Sequence, residues 1–377
     1  MTDESTWTRR NVLQTSGAIA GVGALAGCIQ GDGSDDEDGG NGNGDGESGP
    51  YTVSMPPVGE IEFDSVPETW AANNGSWADM GIALGQQPPE AVYLTRRYHT
   101  QYYDAIPDVS VDPSGIDSLW ADELTREEFL TLVDEDGVEV FVMDPNFLKG
   151  RANWSDDDIE QVQMTGTPFF GNSIFSRNYG WHDYDFLTLY EAFEKLAELF
   201  QEEDRYAEFE TLHDEFQSEL ETVVPADDRP EVAVVWPRQD DTFLPYVIDE
   251  GTSFKHLRDL GVEDAFANSD VKDFHSNRGA IDYETLLDVD PEYLLLRGER
   301  YTPREEFEQN HVEPMKNHDI AQDLTAVQND NVYRAGPLYQ GPIINFVVTQ
   351  RMAERLYGVD EQLYDPQAVS DIVNGDF

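Results

Sequence analysis

This sequence predicts an α/β protein of two lobes bridged by one long helix, and three observations carry that reading. From residue 51 onward short apolar runs alternate with amphipathic stretches, the pattern of a parallel sheet with helices on its faces. The alternation breaks once, at Trp181–Val224, the longest stretch of the chain free of Pro and Gly. It then starts again, so that 377 residues divide into two similar halves, as expected for a chain of this length.

In the first half Ala91–Leu94 and Val138–Met143 read as strands, with Pro168-Phe169-Phe170 following them and helices over 67–84 and 125–135 between. In the second half Val232–Trp236, Tyr293–Leu296 and the shorter Asn331–Arg334 read as strands, with helices over 252–260, 282–288 and 342–357. Between the halves one apolar face runs Phe186, Tyr190, Phe193, Leu196, Phe200 and a second runs Tyr206, Phe209, Leu212, Phe216, Leu220, Val223, both at helical spacing. The acidic step Glu202-Glu203-Asp204 splits them into two helices. The second, of about 20 residues at 1.5 Å each, is ~30 Å long and reaches from lobe to lobe. The expected architecture is therefore two Rossmann-like lobes with parallel sheets, 51–202 and 225–377, joined by a spanning helix over 203–224. Two ordinary surface helices on a single sheet are the alternative.

The charge is extreme, 77 acidic residues against 23 basic, a net of −54. Nucleic acid, which needs a basic surface, is excluded as a partner, and anionic membrane surfaces are disfavoured. Five Lys against 18 Arg on an acid-rich surface fit a halophilic protein, since concentrated ions screen self-repulsion. Seven Trp, 17 Tyr and 19 Phe argue for folded cores rather than an acidic disordered chain.

The start of the chain reads as an address and a tether. Thr8-Arg9-Arg10-Asn11-Val12-Leu13 precedes an apolar run, Gly17–Gly27, that is too short for the ~20 residues of a membrane span. The paired arginines resemble a twin-arginine signal, and Leu25-Ala26-Gly27-Cys28 resembles a lipobox whose cysteine carries lipid. Cys28 is the sole cysteine, so no intramolecular disulfide forms. Residues 1–28 are thus read as the signal and 29–50, rich in Gly, Asp, Asn and Ser, as a disordered acidic stalk. The folded part is then extracytoplasmic and anchored to the cell membrane through Cys28. Sequons at Asn74-Gly75-Ser76 and Asn153-Trp154-Ser155 are candidate glycan acceptors.

Ligands of open α/β sheets sit beyond the carboxyl ends of the strands, and the loops there are unusual in this chain. Arg96, Arg97, Tyr98 and His99 follow the strand at 91–94, and Arg177, Tyr179 and Trp181 follow Phe170. The second half offers Trp236 and Arg238, His275 and Arg278, Arg297 and Tyr301, and Tyr339. Arginine forks recognise oxygen anions and rings cover flat organic surfaces, so the set suits an anionic or chelated ligand. Each residue also has a structural alternative, an ion pair or a sheet cap. The seven histidines form no His-x-x-x-His pair, and no cofactor is expected; His99, His182 and His275 leave direct metal binding open.

The second half carries Ile281-Asp282-Tyr283-Glu284-Thr285-Leu286-Leu287-Asp288-Val289-Asp290-Pro291-Glu292 before the strand Tyr293–Leu296. With Ala326–Tyr333, Gly341-Pro342 and a helix ending at Leu356-Tyr357-Gly358, it resembles the helical-backbone (class III) substrate-binding proteins of iron-siderophore and cobalamin ABC importers. A weaker counterpart is Thr125–Val133 leading to Val138–Met143, where Glu-Asp-Gly replaces the family's Pro-Asp. The similarity covers about residues 60–358. It implies a monomer that captures a ferric chelate or corrinoid between its lobes and delivers it to a membrane permease. It further implies that Glu284, and either Glu127 or Glu128, meet arginines of that permease. A haem or bare-metal receptor of the same fold is the alternative. An extracytoplasmic hydrolase is the enzyme-class rival, but the chain has no Gly-x-Ser-x-Gly elbow, Walker loop or His-Glu-x-x-His.

Overall fold

The computed structural model describes residues 49–120 and 124–377, and Glu47–Phe377 form one compact unit. The twin-arginine segment, Cys28 and nearly all of the stalk lie outside the described residues.

A hairpin of β1 (Tyr51–Met55) and β2 (Gly59–Phe63), antiparallel and not anticipated from the sequence, precedes the first lobe. The lobe's sheet is wholly parallel. Its strands β3 (Trp70–Ala72), β4 (Ala91–Val92), β5 (Asp117–Ser118) and β6 (Val140–Val142) lie in the order β5-β4-β3-β6, and Phe169 extends it by a parallel bridge to Phe141. Every residue of β3, β4 and β6 is buried, which is why these strands are apolar without alternation. Chain order reverses beside β3, so the sheet has its switch point there.

Helix α1 (Gly75–Ala83) leaves β3 and is buried along its whole length. The expected helix over 67–84 is therefore a strand followed by a helix. Asn74 between them is buried and its side chain accepts the Ser76 N–H as N-cap, so this sequon is closed to a glycan, whereas Asn153 is exposed. Three capping boxes start helices on the acidic surface. Thr125 with Glu128 begins α2 (Arg126–Glu135), Ser155 with Asp158 begins α4 (Asp156–Gln163), and Thr188 with Glu191 begins α5 (Leu189–Phe200); α3 (Pro145–Ala152) is capped by Asp144. Gln201, at φ +54°, ends α5, and α6 (Glu203–Val223) then carries the chain to the second sheet. Its 21 residues span ~31 Å.

The second sheet comprises β7 (Glu231–Pro237), β8 (Thr242–Tyr246), β9 (Glu263–Asp264), β10 (Ile281–Asp282), β11 (Tyr293–Leu296) and β12 (Val332–Arg334). Its order is β10-β8-β7-β11-β12, with β9 paired to the start of β7. β7, β11 and β12 are parallel, but β8 turns back antiparallel on β7, so this sheet is mixed where a purely parallel one was expected. Short helices α7 (Lys255–Asp259), α8 (Phe274–Asn277), α9 (Tyr283–Val289), α10 (Arg304–Phe307), α11 (Glu313–Lys316) and α12 (Thr325–Gln328) connect the strands. Helix α13 (Pro342–Tyr357) then packs on α1, and α14 (Pro366–Asn374) packs on α6.

One apolar core runs through both lobes, from Trp70 and Trp77 through Phe209 and Phe216 of α6 to Val234 and Leu295. A separate cluster lies on the outer face of each sheet, around Phe129 and Phe169 in one and Phe243 and Leu294 in the other. The lobes thus share more than the spanning helix. Asp79 of α1, fully buried, accepts from the Ile344 N–H at the start of α13 (3.1 Å) and from the Tyr103 hydroxyl (2.7 Å).

Candidate ligand-binding cleft

Where the carboxyl ends of the two sheets face each other a cleft of about 280 Å³ remains, lined from both lobes. The first lobe presents each wall residue from a strand end. Tyr93 and Arg97 follow β4, Phe147 and Arg151 lie on α3 after β6, and Phe175 and Tyr179 lie in the loop after Phe169. The second lobe answers with Trp236 at the end of β7, Tyr246 on β8, His275 and Arg278 at α8, and Tyr339 after β12. The local sequence explains why the first wall can be built. Asp144 caps α3 and is buried against the Ser173 and Tyr184 hydroxyls, so one carboxylate ties α3 to the loop that carries Phe175 and Tyr179. Burial raises its pKa against the pull of those hydrogen bonds.

The cleft is aromatic and basic at once. Phe175 meets Tyr339 across the lobes (5.4 Å between ring centroids) and Tyr179 meets His275 (5.8 Å). Arg151 lies over the Tyr179 ring, Arg278 over Phe274 and Arg97 over Trp236, at 5.3, 5.1 and 5.3 Å. Among the described residues no Asp or Glu lines it. Burial pushes the Tyr93 hydroxyl up to about 12 and raises that of Tyr339, with Arg97 opposing both shifts, so these phenols are neutral at ordinary pH. The wall offers guanidinium forks and hydroxyl donors to an oxygen-rich anion, and ring faces to its organic part.

Six of the residues singled out from sequence line this cleft: Arg97, Tyr179, Trp236, His275, Arg278 and Tyr339. The others are placed elsewhere. Arg96 and Arg97 grip Glu299 of the opposite lobe at 2.9 and 2.8 Å, and His99, buried, sits within 3.1 Å of the Glu299 carbonyl. Against burial, which would raise it, the two guanidiniums hold the Glu299 carboxyl below the usual range. On the other flank Arg177 pairs with Glu250 (2.8 Å), while Ser176 and Asn178 bond Asp249. Arg96, His99 and Arg177 therefore clasp the lobes. The Tyr98 hydroxyl is taken by Tyr103. Trp181 stacks behind Tyr179 at 4.3 Å. Arg238 is exposed near Asp240, and Tyr301 packs against Tyr102. Arg297 is buried between the Tyr246 and Phe254 rings beneath the cleft, where burial lowers its pKa to about 10. Tyr93, Phe147, Arg151, Phe175 and Tyr246 line the cleft without having been expected, and Phe274 joins them from the same expected loop as His275 and Arg278; Arg151 on a basic helix end after a strand was the readable signal.

Of the histidines considered for metal, His99 faces Glu299 and His182 is enclosed by the Tyr179, Trp181, Tyr184 and Phe186 rings. Among the described residues no three His, Cys, Asp or Glu side chains converge as a metal would need. At the helix termini, Glu127 is exposed at the second position of α2, whereas Glu128 is occupied by the Thr125 capping box. Glu284 is exposed at the second position of α9.

The fold is shared with solved structures at low identity. A periplasmic binding protein from Veillonella parvula is 15% identical, with 84% of this chain and 100% of that one covered and a TM-score of 0.58. An ABC-type Fe3+-hydroxamate transport system protein from Saccharomonospora viridis is 18% identical, covering 82% and 99%, with a TM-score of 0.54. The heme binding protein HmuT is 13% identical, covering 84% and 93%, with a TM-score of 0.56. No curated protein sequence matches. The profile of the periplasmic binding protein family matches residues 145–339, just over half of the 377, and takes in the spanning helix, the second sheet and most of the cleft. The chain belongs to the periplasmic binding protein family.

Proposed function

We propose that this protein is the extracytoplasmic receptor of an ABC importer and captures an anionic metal chelate, of the ferric siderophore or haem kind, in the interlobe cleft. One observation carries the reading. Three guanidiniums and a ring of aromatic side chains, with no carboxylate among them, line a cleft in a chain whose net charge is −54. Similar folds named for heme and Fe3+-hydroxamate agree with it. Arg97, Arg151 and Arg278 bind the oxygen atoms of the chelate, and Tyr179, Trp236, Phe274 and Tyr339 cover its organic surface. At about 280 Å³ the cleft lies at the small end of ligand sites, so a larger chelate stands partly out of it or parts the clasps.

The receptor is held at the cell membrane through lipid on Cys28, and Cys28→Ser should release it to the medium. No described helix is long and apolar enough to cross a membrane. The permease reads Glu127 on one lobe and Glu284 on the other.

The test is a titration of intrinsic fluorescence in molar salt with ferric hydroxamate and catecholate siderophores, haem, cobalamin and free ferric ion. Trp236 in the wall makes occupancy visible. Saturable quenching by one ferric chelate, lost in Arg97→Gln/Arg278→Gln, is expected, with a matching rise in melting temperature by mass action. Turnover of the chelate, or saturation by the free ion alone, overturns the proposal.

A further inference from the structure

A second pocket, of about 610 Å³, opens outside the cleft where the edge strand β12 meets α13, beside Tyr301 of the second lobe and Tyr102 of the first. It has more than twice the cleft's volume. Its wall gathers Arg334 at the end of β12 with Arg351 and Arg355, one turn apart on α13. In a chain of 77 acids and 23 bases a carboxylate is nearly always at hand, yet none of these three forms an ion pair among the described residues. Instead each lies over a tyrosine ring: Arg334 over Tyr301 at 4.3 Å, Arg351 over Tyr102 at 5.1 Å and Arg355 over Tyr333 at 5.7 Å.

The other two cations of the wall are neutralised, Arg304 by Glu308 and Lys316 by Asp330, each at 2.7 Å. Three unpaired arginines then face Glu313 and Glu354, the latter accepting from Gln350. Partial desolvation, with Arg334 and Arg351 as like charges, lowers the Arg355 pKa, and Glu354 opposes that shift without reaching ion-pair distance. Arg334 and Arg351 are half-buried and Arg355 is exposed, so water and the two carboxylates offset part of the mutual repulsion of the three guanidiniums, and a multivalent anion seated among them offsets more of it. The rings lie against the guanidiniums and leave their N–H groups, except the Arg334 bond to the Thr302 carbonyl, for oxygen atoms.

We infer that this pocket binds a small multivalent oxyanion, phosphate-bearing or polycarboxylate, separately from the ligand of the cleft. The test is calorimetric titration of the whole chain in molar potassium chloride with millimolar sodium pyrophosphate and, separately, sodium citrate; the two arms distinguish the sources. Both anions stabilise any folded protein at high concentration by exclusion, so saturation is the readout rather than a melting shift. One arm should saturate at one site per chain. Arg351→Gln/Arg355→Gln should weaken it by about tenfold or more, the scale of charge-assisted hydrogen bonds, while Arg278→Gln leaves it unchanged. The charge-keeping pair Arg351→Lys/Arg355→Lys, which preserves the pocket's electrostatics, should retain part of the affinity. Absence of saturable heat in both arms, or affinity unchanged in the glutamine pair, overturns the inference.

Discussion

A single carboxylate illustrates how residue-scale chemistry joins the lobes. Asp79 has no solvent exposure, and burial raises its pKa from 3.8 to about 7 against the hydrogen bonds from Tyr103 and the start of α13. Its folded pKa lies above its unfolded one, so the folded chain binds the extra proton between them. The stabilisation is fully present below about pH 4 and is lost as pH rises to about 7; each pH unit of that interval removes about 1.4 kcal/mol, a few kcal/mol in all. Asp79→Asn is neutral at every pH. Melting curves at constant salt should show the wild type losing stability relative to the variant across that window, and parallel curves would show that Asp79 does not titrate there. The same scale explains what could not be read in advance. Arg96 and Arg97 are adjacent in one turn, yet only Arg97 lines the cleft while both reach Glu299, because a 3-10 turn sends neighbouring side chains in different directions. Composition marked the basic loops but carried no information on which side of each loop faces the gap.

Elements were legible where the chain punctuates itself. Helix α13 runs over the expected 342–357 because Pro342 opens it and Gly358, at φ +66°, closes it. β11 likewise matches Tyr293–Leu296, a buried apolar run between polar loops. β3 was hidden, since Trp70-Ala71-Ala72 is only three residues long and passes for the start of a helix, and the pairing of β8 depends on a partner that periodicity does not reveal. For the proposed docking to a permease, the element positions fit one register where the sequence left two. Glu127 and Glu284 occupy the same position of α2 and α9, one on each lobe; Glu127 holds only an exposed pair with Arg126 at 3.0 Å, while Glu128 is spent on its own cap. Glu127→Gln and Glu284→Gln should therefore each slow chelate uptake by cells and leave chelate affinity in solution unchanged, since rim charges act mainly on encounter rate. Glu128→Gln should keep near-normal uptake and cost at most about 1 kcal/mol of stability through its cap. Uptake more sensitive to Glu128 than to Glu127 would reverse the assignment.

At the scale of the whole molecule two salt effects oppose each other. The chain's net charge of −54, most of it in the compact unit that starts at Glu47, repels itself over distances that salt shortens from about 10 Å at 0.1 M to about 3 Å at 1 M. The ion pairs that clasp the lobes, Arg96 and Arg97 to Glu299 and Arg177 to Glu250, are partly exposed and weaken over the same range. Each clasp is a contact or two, whereas the repulsion is summed over most of the chain's 77 acidic residues against at most 23 basic ones, so the global term wins. The folded state should thus gain stability steadily as potassium chloride rises from tenths of molar to molar, read by circular dichroism melts. Screening depends on ionic strength alone, while exclusion of a strongly hydrated anion adds to it. Potassium chloride and potassium sulfate at matched ionic strength should therefore give similar melting temperatures at the low end of the range and separate only at the high end. If the two salts differ from the outset, or if the melting temperature ignores salt altogether, the acidic surface is not an adaptation to screening.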